Sequence, residues 1–177
     1  MIRSLVWLLL APALIFGQAL NLDSLDKLKS RAAENVSISM DASLLRLASK
    51  FLSDDDPEEA EIRKLVAGLK RIVIRSFEFQ REGEYLDADV DAIRNQLRDS
   101  AWKRVIEVHS KKESENADVF VRQEADRISA VALIMAEPKQ LTVIHIEGPI
   151  DIDGLAKLAG NFGIPEAVKK KLERKAK

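Results

Sequence analysis

Cysteine is absent from the 177 residues. Its absence excludes thiol nucleophiles, cysteine-based metal sites, redox pairs and disulfide staples. It also excludes a lipid-bearing cysteine behind an export leader. Stability must therefore come from burial alone. Histidine is scarce: His109 and His145 are the only two, and a metal centre needs at least three protein ligands. No excess of one charge exists either. The chain carries 28 Lys and Arg against 29 Asp and Glu, so no global field draws in nucleic acid. Long hydrophobic runs are missing too. The longest, Leu5 to Phe16, makes about 18 Å of helix against a hydrocarbon core of roughly 30 Å. Pro12 inside it argues further against a spanning helix.

What that run does offer is an export leader. Arg3 supplies a positive charge, the apolar run follows, and Gly17-Gln18-Ala19 ends it with small residues. A charged start, a short apolar middle and a small-residue exit define a secretory signal. The pattern predicts a signal peptide over 1–19, cut after Ala19, and a periplasmic or secreted protein. An uncleaved membrane anchor is the alternative. One domain is expected over 20–165, with a basic tail over 166–177.

Periodicity predicts the elements. Leu22, Leu25, Leu28 and Ala32 mark a helix over Leu22–Ala33. Val36, Ile38 and Met40 alternate with serines, as in a half-buried strand. Asp41 is placed to cap the next helix, whose Leu44, Leu45, Leu47, Ala48, Phe51 and Leu52 read as a broad core-facing stripe. Asp56, Pro57 and Glu59 fit the N-cap, first position and capping-box acid of a further helix. Ile62, Leu65, Val66 and Leu69 carry its buried face. Arg71–Phe79 is apolar on both faces, the mark of an interior strand. Asp87 or Asp89 then caps a helix carrying Val90, Ile93 and Leu97.

From Trp102 the pattern becomes strands and tight turns: Trp102–Lys111, Ala117–Gln123, Arg127–Glu137 and Gln140–Glu147. Short polar connections join antiparallel neighbours, so these strands form a four-strand meander. A helix over Asp151–Asn161 is expected to close the domain. The fold class is α+β: a mainly antiparallel sheet, a meander in the C-terminal half and helices packed on one face. The strand Arg127–Glu137 is apolar on both sides. Its second side is then either a docking surface for a partner or second copy, or a face covered by the end helices.

Each candidate for chemistry has a plainer structural reading. The acidic run from Asp54 to Glu61 suggests calcium, yet it lacks the ligand spacing and turn glycine of an EF-hand loop, and a helix N-terminus accounts for it. His109 and His145 sit on meander strands separated by two others, with no third ligand indicated. Ser110 follows His109 directly, and adjacent strand residues face opposite ways. Glu147, Asp151 and Asp153 around Gly148-Pro149 offer carboxylates for acid–base work, but a turn and an N-cap explain them. Asn35-Val36-Ser37 matches a glycosylation sequon, a motif common by chance. The six basic residues within Val168–Lys177 could touch anionic lipid head groups; a solvated terminus is the plainer account. No catalytic, cofactor-binding or metal-binding residue is assigned, and no cofactor is implied.

Several stretches carry a family resemblance: Ser43-Leu44-Leu45-Arg46-Leu47-Ala48, Phe51-Leu52-Ser53, Val66-Ala67-Gly68-Leu69-Lys70, Arg75-Ser76-Phe77-Glu78-Phe79 and Glu137-Pro138-Lys139. Across about Leu22 to Ile164 the chain resembles the bacterial envelope domain-of-unknown-function family 4252. The resemblance implies export, a Gram-negative source and an accessory envelope role tied to extracytoplasmic sigma-factor signalling. It carries over no catalytic residues. Some relatives look like lipoproteins, and this chain departs from them in having no cysteine. The expected function is a non-enzymatic periplasmic binding or interaction module for a protein or other envelope partner, with no nucleic acid. The alternatives are a small Asp/Glu hydrolase of envelope polymers and a carrier of a small apolar ligand.

Overall fold

The computed structural model describes residues 20–110 and 115–150. A 3₁₀ helix over Asp23–Ser30 comes first. It is followed by β1 (Glu34–Asp41), α1 (Ala42–Ser49), α2 (Pro57–Gly68), β2 (Arg71–Glu78) and α3 (Asp87–Gln96). Then come β3 (Trp102–Ser110), β4 (Glu115–Glu124), β5 (Arg127–Glu137) and β6 (Gln140–Ile150). The strands form one sheet in the order β1-β2-β6-β5-β4-β3, with every neighbouring pair antiparallel. The class is α+β, and β3 to β6 are the predicted meander. β2 docks on the last meander strand, which makes it the interior strand its two apolar faces require.

Local chemistry sets the helix starts. The Asp41 carboxylate accepts from the N–H groups of Ser43 and Leu44 at 2.8 and 2.9 Å. Asp56 accepts from Glu59 N–H at 3.3 Å, and Glu59 in turn accepts from Ser53 N–H at 2.7 Å. The first helix is 3₁₀ rather than α. Leu22, Leu25 and Leu28, all buried, recur at strict threes, the period of a 3₁₀ turn. Neither Asp87 nor Asp89 is the cap of α3. Leu86 holds that position, and Asp89 reaches back from inside the first turn to accept its N–H at 2.9 Å.

Helices lie on both faces of the sheet, which corrects the expectation of one. On the first face Leu45, Leu65, Val66 and Leu69, from α1, α2 and the residue after it, pack on Ile72, Ile74, Ile144 and Ile146. On the second, Leu25, Leu28, Val90, Ile93 and Leu97 pack on Val73, Phe77, Ile134 and Val143. The reason is the alternation itself. β2, β5 and β6 are apolar on both sides, and each side needs a layer. The second side of β5 is thus part of a core.

Two further expectations are corrected. The stripe on α1 does not all face the core: Leu45 is buried, but Leu44, Leu47 and Phe51 are 49%, 52% and 85% exposed. Gly148-Pro149 is not a turn, because β6 runs on to Ile150. Gly148 has φ +143° and lies against β2's entry; a Cβ there would stand 2.9 Å from Leu69 Cα. Lys70 N–H donates to Glu147 O at 2.8 Å beside it. The expected leader (1–19), the helix over Asp151–Asn161, the acids Asp151 and Asp153, and the basic tail (166–177) lie outside the described residues.

Candidate functional site

The antiparallel register sets a polar row across one end of the second face. Arg71, Glu147, Ala130, Arg122 and Trp102 are successive cross-strand neighbours on β2, β6, β5, β4 and β3. One row inward stand Val73, His145, Ala132, Phe120 and Arg104. Ala130 and Ala132 are fully buried and short. Over them the large side chains from either side approach. The Trp102 and His145 rings lie 5.9 Å apart, and the Arg122 guanidinium sits 5.5 Å over the Trp102 ring.

His145 is 1% exposed. Among the described residues neither ring nitrogen has a hydrogen-bond partner, and neither does Glu147 Oε1, which lies 3.7 Å from His145 Nδ1. Burial depresses the imidazole pKa to about 4, and the nearby charges of Arg122 and Arg71 push the same way. At neutral pH the ring is therefore uncharged, with one donor and one acceptor nitrogen. Buried polar groups are normally paired; these three atoms and Arg75 Nε are the exceptions among the described residues.

A cleft of about 240 Å³ opens beside this row, lined by Leu20, Asn21, Leu22, Asp23, Arg71, Val73 and Arg75. Its near wall is pinned to α3: Asn21 N–H donates to Gln96 Oε1 and Gln96 Nε2 donates back to Asn21 O, both at 2.9 Å. Arg75 is held by its Nη1, which donates to the carbonyls of Ile38 and Ile74 at 3.2 and 3.1 Å. Its Nε stands 3.8 Å from Asp26 and makes no hydrogen bond among the described residues. Arg71 is exposed and has neither hydrogen bond nor ion pair among the described residues. The cleft is thus bordered by two arginines four residues apart on β2, and a guanidinium is suited to carboxylate, phosphate or sulfate oxygens.

Other polar clusters on this face serve packing. Asp118, 3% exposed in its side chain, accepts from Arg94 Nε and Nη2 at 2.9 and 2.8 Å and lies 3.4 Å from Arg104 Nη1. That pairing ties α3 to the meander. Asp89 lies 2.6 Å from Lys27 Nζ and 3.8 Å from Arg31. Burial works to raise its pKa, but the hydrogen bonds from Lys27 and Leu86 with the two positive charges outweigh it and leave the pKa lowered. This pair joins the 3₁₀ helix to α3.

The residues singled out in the sequence fall apart in space. His109 is exposed and contacts Asn116, whereas His145 is buried three strands away. The acidic run is the start of α2, with Asp54 paired to Arg63. Of its expected cluster, Glu147 stands in the polar row, and Asp151 and Asp153 lie outside the described residues. Among the described residues no group of three His, Asp or Glu could hold a metal ion, and no helix is long and apolar enough to cross a membrane. Sequence reading missed Arg71, Arg75, Arg122 and Trp102. The available signal was two arginines four apart on an interior strand, and alanines at alternate positions of an otherwise bulky strand.

No curated protein matches the chain. The family model described as Domain of unknown function (DUF4252) matches residues 30–158. That stretch covers β1 to β6 and most of the chain, so this protein belongs to the DUF4252 family.

Proposed function

We propose that this chain is an exported, non-enzymatic binding module of the bacterial envelope, and that its partner presents an anionic group to the cleft between Arg71 and Arg75. The observation that carries this reading is the unpaired Arg71 guanidinium beside the buried, unpartnered His145. The leader-like start over 1–19 supports export, and an envelope role follows from it. A carrier of a small apolar ligand is less well supported, since such sites enclose at least ~300 Å³ and are mainly apolar, whereas this cleft is lined by two arginines and an aspartate.

Two measurements test the reading. Fractionation of the expressing cell should place the processed chain outside the cytoplasm; full-length chain in the cytosol would contradict export. Calorimetric titration with inorganic phosphate, citrate and a short acidic peptide should give saturable heat at low salt. Arg71→Ala should weaken the best binder at least tenfold with the fold unchanged. Equal heats in both proteins would remove the site.

A further inference from the structure

Five large apolar side chains are exposed among the described residues, and four of them fall in one stretch: Val36 on β1, and Leu44, Leu47 and Phe51 on or just after α1. Leu44, Leu47 and Phe51 are spaced three and four apart and form one stripe. α1 packs on α2 and on β1. The stripe stays exposed despite this, so it lies off the flank that α2 occupies.

β1 is the edge of the sheet, and the register shows which of its backbone groups face outward. Phe79 N–H donates to Lys139 O, in register with the β2–β6 ladder. Hydrogen-bonded pairs recur every second residue in an antiparallel ladder. Odd-numbered residues of β2 therefore bond β6, and even-numbered ones bond β1. On β1 this uses Val36, Ile38 and Met40 and leaves the N–H and C=O groups of Asn35, Ser37 and Ser39 pointing away from the sheet. Edge strands are usually protected by charge, proline or a bulge. The opposite edge, β3, has a register shift between Arg104 and Ile106 and carries Lys103, Arg104 and Glu107. β1 has an unbroken eight-pair register and no charge between its terminal Glu34 and Asp41.

We propose that the β1 edge and the apolar stripe of α1 form the two-fold interface of a homodimer, with β1 pairing antiparallel to β1 of a second copy. The strand is self-complementary in that sense. About an axis at Ser37, Asn35 meets Ser39 of the second copy, Val36 meets Ile38, Glu34 meets Met40 and Asp41 meets Ala33. No like charges oppose, whereas parallel pairing would set Glu34 on Glu34 and Asp41 on Asp41. A strand edge alone falls short of the roughly 800 Å² per partner of a stable interface. Val36, Leu44, Leu47 and Phe51 supply the apolar area it lacks. The two sheets become one of twelve strands, and the Arg71 cleft, on the other face, keeps its own role.

Light scattering on the purified protein at about 100 µM, well above a micromolar Kd, should give the mass of two chains. Ser37→Pro removes only an outward donor and leaves the β1–β2 ladder whole. It should give a monomer with an unchanged circular dichroism spectrum. Asn35→Lys with Ser39→Lys, and Asn35→Glu with Ser39→Glu, change only exposed side chains, and each double variant should be monomeric. Mixed one to one, they should restore the dimer mass, because opposite charges then meet across the axis. A monomeric wild type, or double variants that still dimerise alone, would overturn the proposal. A mixture that stays monomeric would overturn the axis at Ser37.

Discussion

The two faces of the sheet solve the same burial problem with different materials. The first face is lined by Ile72, Ile74, Val119, Val121, Leu133, Ile144 and Ile146, and Thr142 there pairs with Ser76 at 2.7 Å and accepts from Gln140 Nε2 at 3.5 Å. The second face is equally apolar around Phe77, Ile134 and Leu141, yet it also buries Asp89, Asp118 and His145. Two of those three are fully partnered and knit helices to strands. His145 is not. The difference separates polar burial that ties helices to strands from polar burial that leaves ring nitrogens unpaired among the described residues.

The comparison is broken most forcefully through Phe77, fully buried at the centre of the second face. Phe77→Ala should cost about 3–5 kcal/mol in a denaturant titration. Asp118→Ala should come close, at about 3 kcal/mol, since it removes the buried carboxylate that Arg94 and Arg104 share and leaves Arg94 with the more exposed Asp91. A loss under 1 kcal/mol would show that this pair holds nothing together.

Acid sharpens the contrast between the faces. The folded pKa of His145, about 4, lies below the unfolded value near 6.5. The unfolded state therefore binds the extra proton first. The stability this imparts is complete above pH 6.5 and is lost as pH falls toward 4, by roughly 3 kcal/mol in all. His145→Leu should flatten that window. Asp89, whose pKa is lowered, acts at a more acid pH, where its stabilisation is lost as the carboxylate protonates. Asp41→Ala, which deletes the cap of α1 over the first face, should cost about 1 kcal/mol. Arg71→Ala should change stability by less than about 0.5 kcal/mol, as for an exposed side chain away from the core.

How far the sequence discloses this depends on the range of the interactions. Asp41 and Asp56 declare their helices because a cap is a contact over three residues. The meander declares itself because its turns are short. The pairing of β2 with β6 joins residues about seventy positions apart, and no local pattern states it. The two-sided apolar strands leave two readings of the second face open, a docking surface and a helical cover, and the packing of the 3₁₀ helix and α3 on it decides between them. The α1 stripe was legible as apolar and misread as core, because periodicity gives a face and not what lies against it. Arg71, Arg122 and Trp102 share one row only through the register of five strands, so the candidate site was not legible at all.

The most direct test follows the His145 ring by NMR as pH is lowered, with and without the best-binding anion. The account predicts that His145 stays neutral until near pH 4 in the free protein, and that an anion at Arg71 raises its pKa by offsetting the guanidinium charge. An imidazole that titrates near 6.5 and ignores every anion would contradict it.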